Sequence, residues 1–224
     1  MKKLIIFIIS IIFIMGTSIS VFAAEGNNSV TLNASDYNSL DDLKSSVSEY
    51  LSNTDIDEVI VLTEDFSDND LTSSINHNIS DASPLTTSPV YYQVKNVVTK
   101  SNTTGSSDLA VVTGQPGITI SITKTKTVST TLSATFGTTY KAISGAVGWN
   151  VTGSTSISIS GSATVPSKHN GKAVKTMTLH AKSVYKVKNF DVYRYVPGYV
   201  STKKGTGTTK KACGVSFTKT YSYK

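Results

Sequence analysis

The side chains able to carry acid–base, nucleophilic or metal chemistry are few and scattered. The chain has three histidines, His77, His169 and His180, and one cysteine, Cys213. His77 lies in a polar stretch with no ligand set beside it, so it reads as a solvated loop histidine. His169 and His180 flank a strand-like run with no cluster of Asp, Glu or Cys, and a zinc site is not expected. Cys213 has no histidine to activate it and reads as a small buried residue beside Gly214. No G-x-S-x-G, H-E-x-x-H or P-loop pattern is present. After Asp108 the single acid is Asp191, whereas general acid–base catalysis usually requires a carboxylate partner. The expectation is a non-enzymatic protein that takes no cofactor and no metal.

What the composition does offer is the chemistry of amphipathic strands. From Thr119 to Thr135 every odd position is Ser or Thr, and the even positions include Ile118, Ile120, Ile122, Val128, Leu132 and Phe136. A second run, 143–165, places Ile143, Val147, Trp149, Val151, Ile157 and Ile159 at odd positions, with mostly small polar residues between them. A period of two puts alternate side chains on opposite faces of a strand. At about 3.3 Å per residue, residues 118–136 would span roughly 60 Å. The connection 137–142 suits a hairpin. The spacing therefore predicts one very long amphipathic β-hairpin. Gly145, Gly153 and Gly161 recur on one face, where they would allow coiling or bulges.

The rest of the chain frames this hairpin. Lys2 and Lys3, the apolar run Leu4–Met15, and Val21 and Ala23 at a cleavage site read as a Sec signal peptide, 1–23. The expected product is secreted and extracellular. Residues 25–108 hold fourteen acids against three lysines, a net charge of −11; residues 109–224 hold sixteen basic residues against Asp191, a net of +15. Such a split divides the chain into an acidic region, 24–88, and a basic all-β domain, 89–224. The acidic region is either a detachable propeptide that masks the basic half or an integral subdomain. Within it, residues 24–37 read as loose. Ser39 caps a helix over 40–52, with Leu40, Leu43, Val47 and Leu51 on one face. A short strand follows at 59–62, then a polar linker to residue 88. In the basic domain, strands are expected at 90–99, 109–113, 173–188, 190–196 and from Val215 to Tyr223. Breaks are expected at 99–107, Gln115–Gly117, 167–172, Pro197-Gly198 and 203–211. The fold class is mainly β, an antiparallel sheet or sandwich with the long hairpin and a small N-terminal helical region.

Two functions from different classes fit. The first is a secreted binding module whose basic surface, with candidates Lys182, Lys186, Lys188, Lys203, Lys204, Lys210 and Lys211, meets an anionic surface, glycan, cell-wall polymer or lipid. Nucleic acid is not expected for an exported protein. The second is a membrane hairpin. Residues 142–167 carry no charge, nor do 128–136. Val128, Leu132, Phe136, Tyr140, Val147, Trp149 and Val151 are the lipid-facing candidates, with Ser and Thr toward a lumen. Lys124 and Lys126 fall on the apolar face and limit the span to 128–136 and 143–151. An oligomer is expected only for this second function.

The Ser/Thr-rich alternation of 118–165 resembles the long strands of aerolysin-like β-pore-forming toxins. That resemblance implies strands flanking a segment that becomes a membrane hairpin. The chain departs from the family pattern in its short connection, 137–142, which leaves no separate tucked loop, and in showing no distinct receptor-binding lobe. The runs 127–137 and 147–166 also resemble a group of secreted Gram-positive proteins, which implies a secreted β-protein and no particular activity.

Overall fold

The computed structural model describes residues 28–63 and 90–224. The expected signal peptide and the polar linker with His77 lie outside the described residues. The first described strand is β1, Ser29–Asn33, where a loose tail was expected. It runs parallel to β2, Glu58–Leu62, in register from Ser29 opposite Glu58. Between them lies α1, Leu40–Ser52, whose first turn is capped by Ser39: its Oγ accepts from the Asp42 N–H at 3.1 Å. Leu43, Val47 and Leu51 are buried as the helical spacing predicts, but Leu40 stays 61% exposed.

Three very long strands form the body of the molecule: β3, Tyr91–Gly114; β8, Lys172–Tyr195; and β9, Thr202–Tyr223. The first two have 24 residues each, roughly 80 Å at the usual rise. Each was expected to be interrupted. β3 continues through the Ser/Asn/Thr/Gly stretch 99–107 because β8 supplies its ladder, and the turn-forming residues are absorbed as register shifts between Lys95 and Ala110. β9 continues through 203–211, where Gly and Lys suggested a loop. The glycines there serve close approach instead. A Cβ on Gly205 would run into the Phe136 ring, and one on Gly207 into the Phe190 ring.

The main sheet has the order β1-β2-β9-β8-β3, with short β5, Thr131–Leu132, on β9 and β7, Lys168–His169, on β8. β7 turns into β8 through Asn170 and Gly171, whose φ angles of 49° and 74° suit a tight hairpin turn. A second, two-stranded sheet pairs β4, Thr119–Ser129, with β6, Ser154–Thr164. Its apolar face (Ile120, Ile122, Ile157, Ile159) joins α1, β1, β2 and the β8–β9 residues Met177, Leu179, Val215 and Phe217 in the main core. Gly161, expected to permit a bulge, faces Leu51 and Phe217; a Cβ there would lie 3.0 Å from both. Part of the acidic region thus shares a ladder and a core with the basic half: β2 pairs with β9, and Ser162 Oγ donates to Ser48 Oγ at 2.9 Å. Cys213 is buried beside that seam. A smaller core, formed by Ile143, Val147, Trp149, Val151, Phe190 and Val192, sits apart from the first.

Candidate functional site

The predicted hairpin is real for half its length. β4 and β6 pair from Thr119 opposite Thr164 to Ser129 opposite Ser154, without a shift. One more bond follows, from Thr130 N to Gly153 O at 2.9 Å. There the ladder stops. Residues 130–153 leave the pair and fold against the other sheet, which corrects the expected short connection 137–142: a separate tucked segment is present.

Local chemistry explains the detour. Thr131 and Leu132 pair with Lys210 and Thr209 of β9, and the Ser133 N–H donates to Thr208 O at 2.9 Å. The chain then turns at Phe136 and Gly137, with φ of 52° and 89°. A positive φ is unusual for an aromatic residue and marks stored backbone strain. Helix α2, Tyr140–Val147, begins at Thr139, whose Oγ1 accepts from the Ala142 N–H at 3.2 Å. It ends at Gly148, left-handed at φ 81°. Ile143 and Val147 sit four apart and are both fully buried. In the sequence they also sit at alternate positions with Gly145 between them, so the same residues satisfy a strand pattern and a helix pattern. This is why 143–151 was expected to be strand and is not.

The segment docks through Trp149. Its Nε1–H donates to Thr209 Oγ1 at 3.2 Å inside the smaller core. Lys188 Nζ lies 4.6 Å above the indole ring and donates to Val147 O at 2.7 Å, closing the carbonyl end of α2. Phe190 and Val192 of β8 form the floor and are fully buried. The sequence pointed to Lys188 only as a surface cation, and Phe190 and Val192 were missed as a dock. The strand alternation of Phe190 and Val192 was the available signal.

The membrane-hairpin candidates therefore fall in several elements. Val128 stays on β4 against the main core; Leu132 is in β5; Phe136 is at the strained turn; Tyr140 opens α2 and is 56% exposed; Val147, Trp149 and Val151 are buried in the dock. Leu132, Phe136, Val147, Trp149 and Val151 do converge, in the smaller core. The basic candidates do not form one patch. Lys210 neighbours Val187 in the β8–β9 register and Lys211 neighbours Lys186, so consecutive lysines point to opposite faces. Lys203 bridges Asp191 at 2.7 Å and Lys182 neighbours Asp108 in register. Lys204 is exposed on β9.

The β4–β6 register can be continued through residues 130–153. Each paired position keeps the same offset as Ser129 opposite Ser154. Leu132 would then face Val151, Ala134 would face Trp149, Phe136 would face Val147, and Tyr140 would face Ile143, all on the face that carries Ile120 and Ile157. On the other face Thr131 would meet Thr152, Ser133 would meet Asn150, and Thr139 would meet Ser144. The turn would fall at Lys141-Ala142. Each arm, 130–140 and 143–153, would have 11 residues, the number in β4 and in β6. The one charge between Thr130 and Gly153 is Lys141, at the turn.

Other polar groups have well-defined roles. Asp191 accepts from Asn96 Nδ2 at 2.9 Å, Lys203 Nζ at 2.7 Å and Thr206 Oγ1 at 2.7 Å, and these donors hold its carboxyl down at about 2. Lys219 is buried and donates to Leu51 O and Asn53 O at the carbonyl end of α1; burial lowers its pKa to about 8. His180 does have the carboxylate partner that the sequence did not reveal: Nδ1 lies 3.1 Å from Asp108 Oδ2, and Nε2 lies 3.1 Å from Thr220 Oγ1. The three come from β3, β8 and β9. Thr220 is exposed. Beside the point where the segment leaves β4, a cleft of about 680 Å³ is lined by Thr103, Thr104, Ser129, Thr131, Tyr185 and Lys210. Among the described residues no three His, Cys, Asp or Glu side chains group as a metal site, and no helix is long and apolar enough to cross a membrane.

No protein-family model matches the chain, and no curated protein matches it. Among solved structures, the chain is similar to a protein from Bacteroides vulgatus assigned provisionally as a pore-forming toxin. The two are 7% identical with a TM-score of 0.29, and the match covers 60% of this chain and 57% of that one. The chain thus spans little more than half the length of that structure, and a likeness at this level carries no functional weight.

Proposed function

We propose that the chain is a pore-forming protein whose segment 130–153 leaves its dock and extends the β4–β6 pair into a membrane-spanning hairpin. The observation that carries this is the register: continued unchanged, it gives eleven-residue arms with one mainly apolar face, interrupted by Thr138 opposite Gly145, and one face of small and polar residues. A transmembrane strand needs about 9–11 residues with that alternation. Lys141 at the turn would pass through once and come to rest in water on the far side. Lys124 and Lys126 remain on β4 outside the span. A lone hairpin in lipid would leave the N–H and C=O groups of its outer edges without partners, so several chains must close a barrel. The surface-binding function has less geometric support as a complete account, because the lysines that motivated it divide between faces.

The test is a reversible lock. Thr131 and Lys210 are register partners on β5 and β9, a separation a disulfide can bridge. Thr131→Cys/Lys210→Cys, in a Cys213→Ala background, ties the segment to β9. Oxidised protein should release no dye from liposomes, and reduction should restore release to the level of the Cys213→Ala parent. Equal release from the oxidised and reduced forms would overturn the proposal, as would a parent that releases nothing from any lipid mixture.

A further inference from the structure

The β8–β9 connection exposes apolar side chains that its turn does not require. Pro197 and Gly198, with Gly198 at φ 80°, set the turn, and the Tyr199 N–H closes it on Val196 O at 3.0 Å. Nothing in that geometry asks for Tyr199 or Val200. Yet Tyr199 is 78% exposed and Val200 is 91% exposed. Val90 and Tyr91 enter β3 at the same end and are also exposed, with the Tyr91 ring stacked on Tyr195 at 5.1 Å. Five apolar or aromatic residues thus crown one end of the long sheet, where large apolar side chains on a monomer's surface usually mark a contact.

The surroundings are cationic. Arg194, Lys203 and Lys204 lie within a few residues of the turn, and Lys95, on the neighbouring β3, places its Nζ 5.0 Å over the Tyr195 ring. Among the described residues the one nearby acid is Asp191, already bridged by Lys203. Tyrosine favours the level of lipid headgroups, and basic side chains beside it are drawn to an anionic leaflet. The docked segment occupies the adjoining part of the sheet: Gly137 packs against the Tyr92 ring and Phe136 against Gly205.

We infer that the tip formed by Val90, Tyr91, Tyr195, Tyr199 and Val200, with its rim of Lys95, Arg194 and Lys204, is a docking surface for an anionic phospholipid bilayer. Tyr199 and Val200 enter the interface while the cations meet lipid phosphates. Docking itself stands apart from pore formation. It rests on the function proposed above only in that it brings segment 130–153 to the bilayer.

The experiment is vesicle flotation of the full chain with phosphatidylcholine alone and with phosphatidylcholine containing phosphatidylglycerol, at low and high salt. The wild-type chain should bind the anionic vesicles at least about tenfold more tightly than the neutral ones and lose much of that preference in high salt. Tyr199→Ser/Val200→Ser should weaken binding to anionic vesicles by about tenfold or more, with the thermal midpoint unchanged because both side chains are exposed. A double variant that binds like wild type would overturn the inference, and so would wild-type binding that ignores lipid charge or is absent from both vesicles. The oxidised Thr131→Cys/Lys210→Cys protein keeps the two ideas apart. Docking predicts that it still floats with anionic vesicles; if it floats and its reduced form releases no dye, docking stands and pore formation fails. If the chain releases dye but the tip variant binds undiminished, docking fails and pore formation stands.

Discussion

The floor under the docked segment offers a test of how firmly that segment is held. Phe190 belongs to β8, outside segment 130–153, so Phe190→Ala alters the floor of the dock without touching the hairpin sequence. Four side chains of the segment, Ile143, Val147, Trp149 and Val151, are buried there. At about 1.5–3 kcal/mol each they contribute roughly 6–12 kcal/mol of gross burial. Ordering the loop opposes this, so the net docking free energy is only a fraction of that sum. A Phe→Ala change in a core costs about 3–5 kcal/mol, a large part of what remains. Trp149 is the single tryptophan of the chain, and its emission reports on the dock directly. In Phe190→Ala we expect red-shifted, more quenchable emission, and a urea transition by fluorescence that precedes the one by far-UV circular dichroism. Liposome dye release should become faster. Coincident urea transitions with unshifted Trp149 emission would show that the two cores melt together, and the idea of a separately releasable segment would then be wrong.

Lys188→Met should act in the same direction but more weakly, since it removes one charge-assisted bond to Val147 O and one contact with the indole ring; about 1–2 kcal/mol is expected, read as a lower urea midpoint for Trp149 emission. Asp191 has a folded pKa near 2, below its usual 3.8, so its stabilisation is present above about pH 4 and lost as pH falls through about 2. Asp191→Asn should flatten that acid limb of stability against pH while leaving neutral spectra unchanged. Lys219 works on the alkaline side. Its folded pKa of about 8 lies below the usual 10.5, so between those values the unfolded chain binds the proton and the folded chain does not, and stability should rise with pH. Tyr221, raised to about 12 by burial, has the opposite effect above pH 10, where the unfolded phenol ionises first. Urea unfolding from pH 7.5 to 9.5 should therefore show a positive slope that Lys219→Met abolishes; a slope retained in that variant would refute the assignment.

The sequence conveyed the parts of the fold whose local pattern agrees with their tertiary setting. Helix α1 carries its own cap and spacing, and β4 and β6 alternate cleanly, so each was legible. The chain breaks expected at 99–107 and 203–211 were not real because turn residues there have a second use. Ser and Thr tolerate an exposed edge strand that a long neighbour pairs, and Gly205 and Gly207 make room for Phe136 and Phe190. β1 was missed since five residues of mixed polarity form a strand only when β2 is already beside them. At the site the residue types were readable and their placement was not. Leu132, Phe136, Val147, Trp149 and Val151 were identified as one face of a strand pair, and they do form one apolar group, but around Phe190 and Val192 of another sheet.

That double use of one set of side chains bears on whether a switch is physically reasonable. Docked, the segment hides Ile143, Val147, Trp149 and Val151 in protein; extended in a barrel, it would hide the same four, together with Phe136 and Tyr140, in lipid. The apolar contribution is therefore relocated and not lost. The backbone also keeps its partners, since the bonds of α2 and of β5 to β9 would be replaced by ladder bonds continuing from Thr130 and Gly153. Strain favours the change: Phe136 would exchange its left-handed conformation for an ordinary extended one. What resists it is the cost of first exposing the dock to water, together with the bond from Lys188 to Val147 O, before lipid or a neighbouring strand is in place. On the proposed function, release would have to open the smaller core that holds Trp149 together with Phe190. Control of the segment should lie in substitutions of its floor rather than of the hairpin itself.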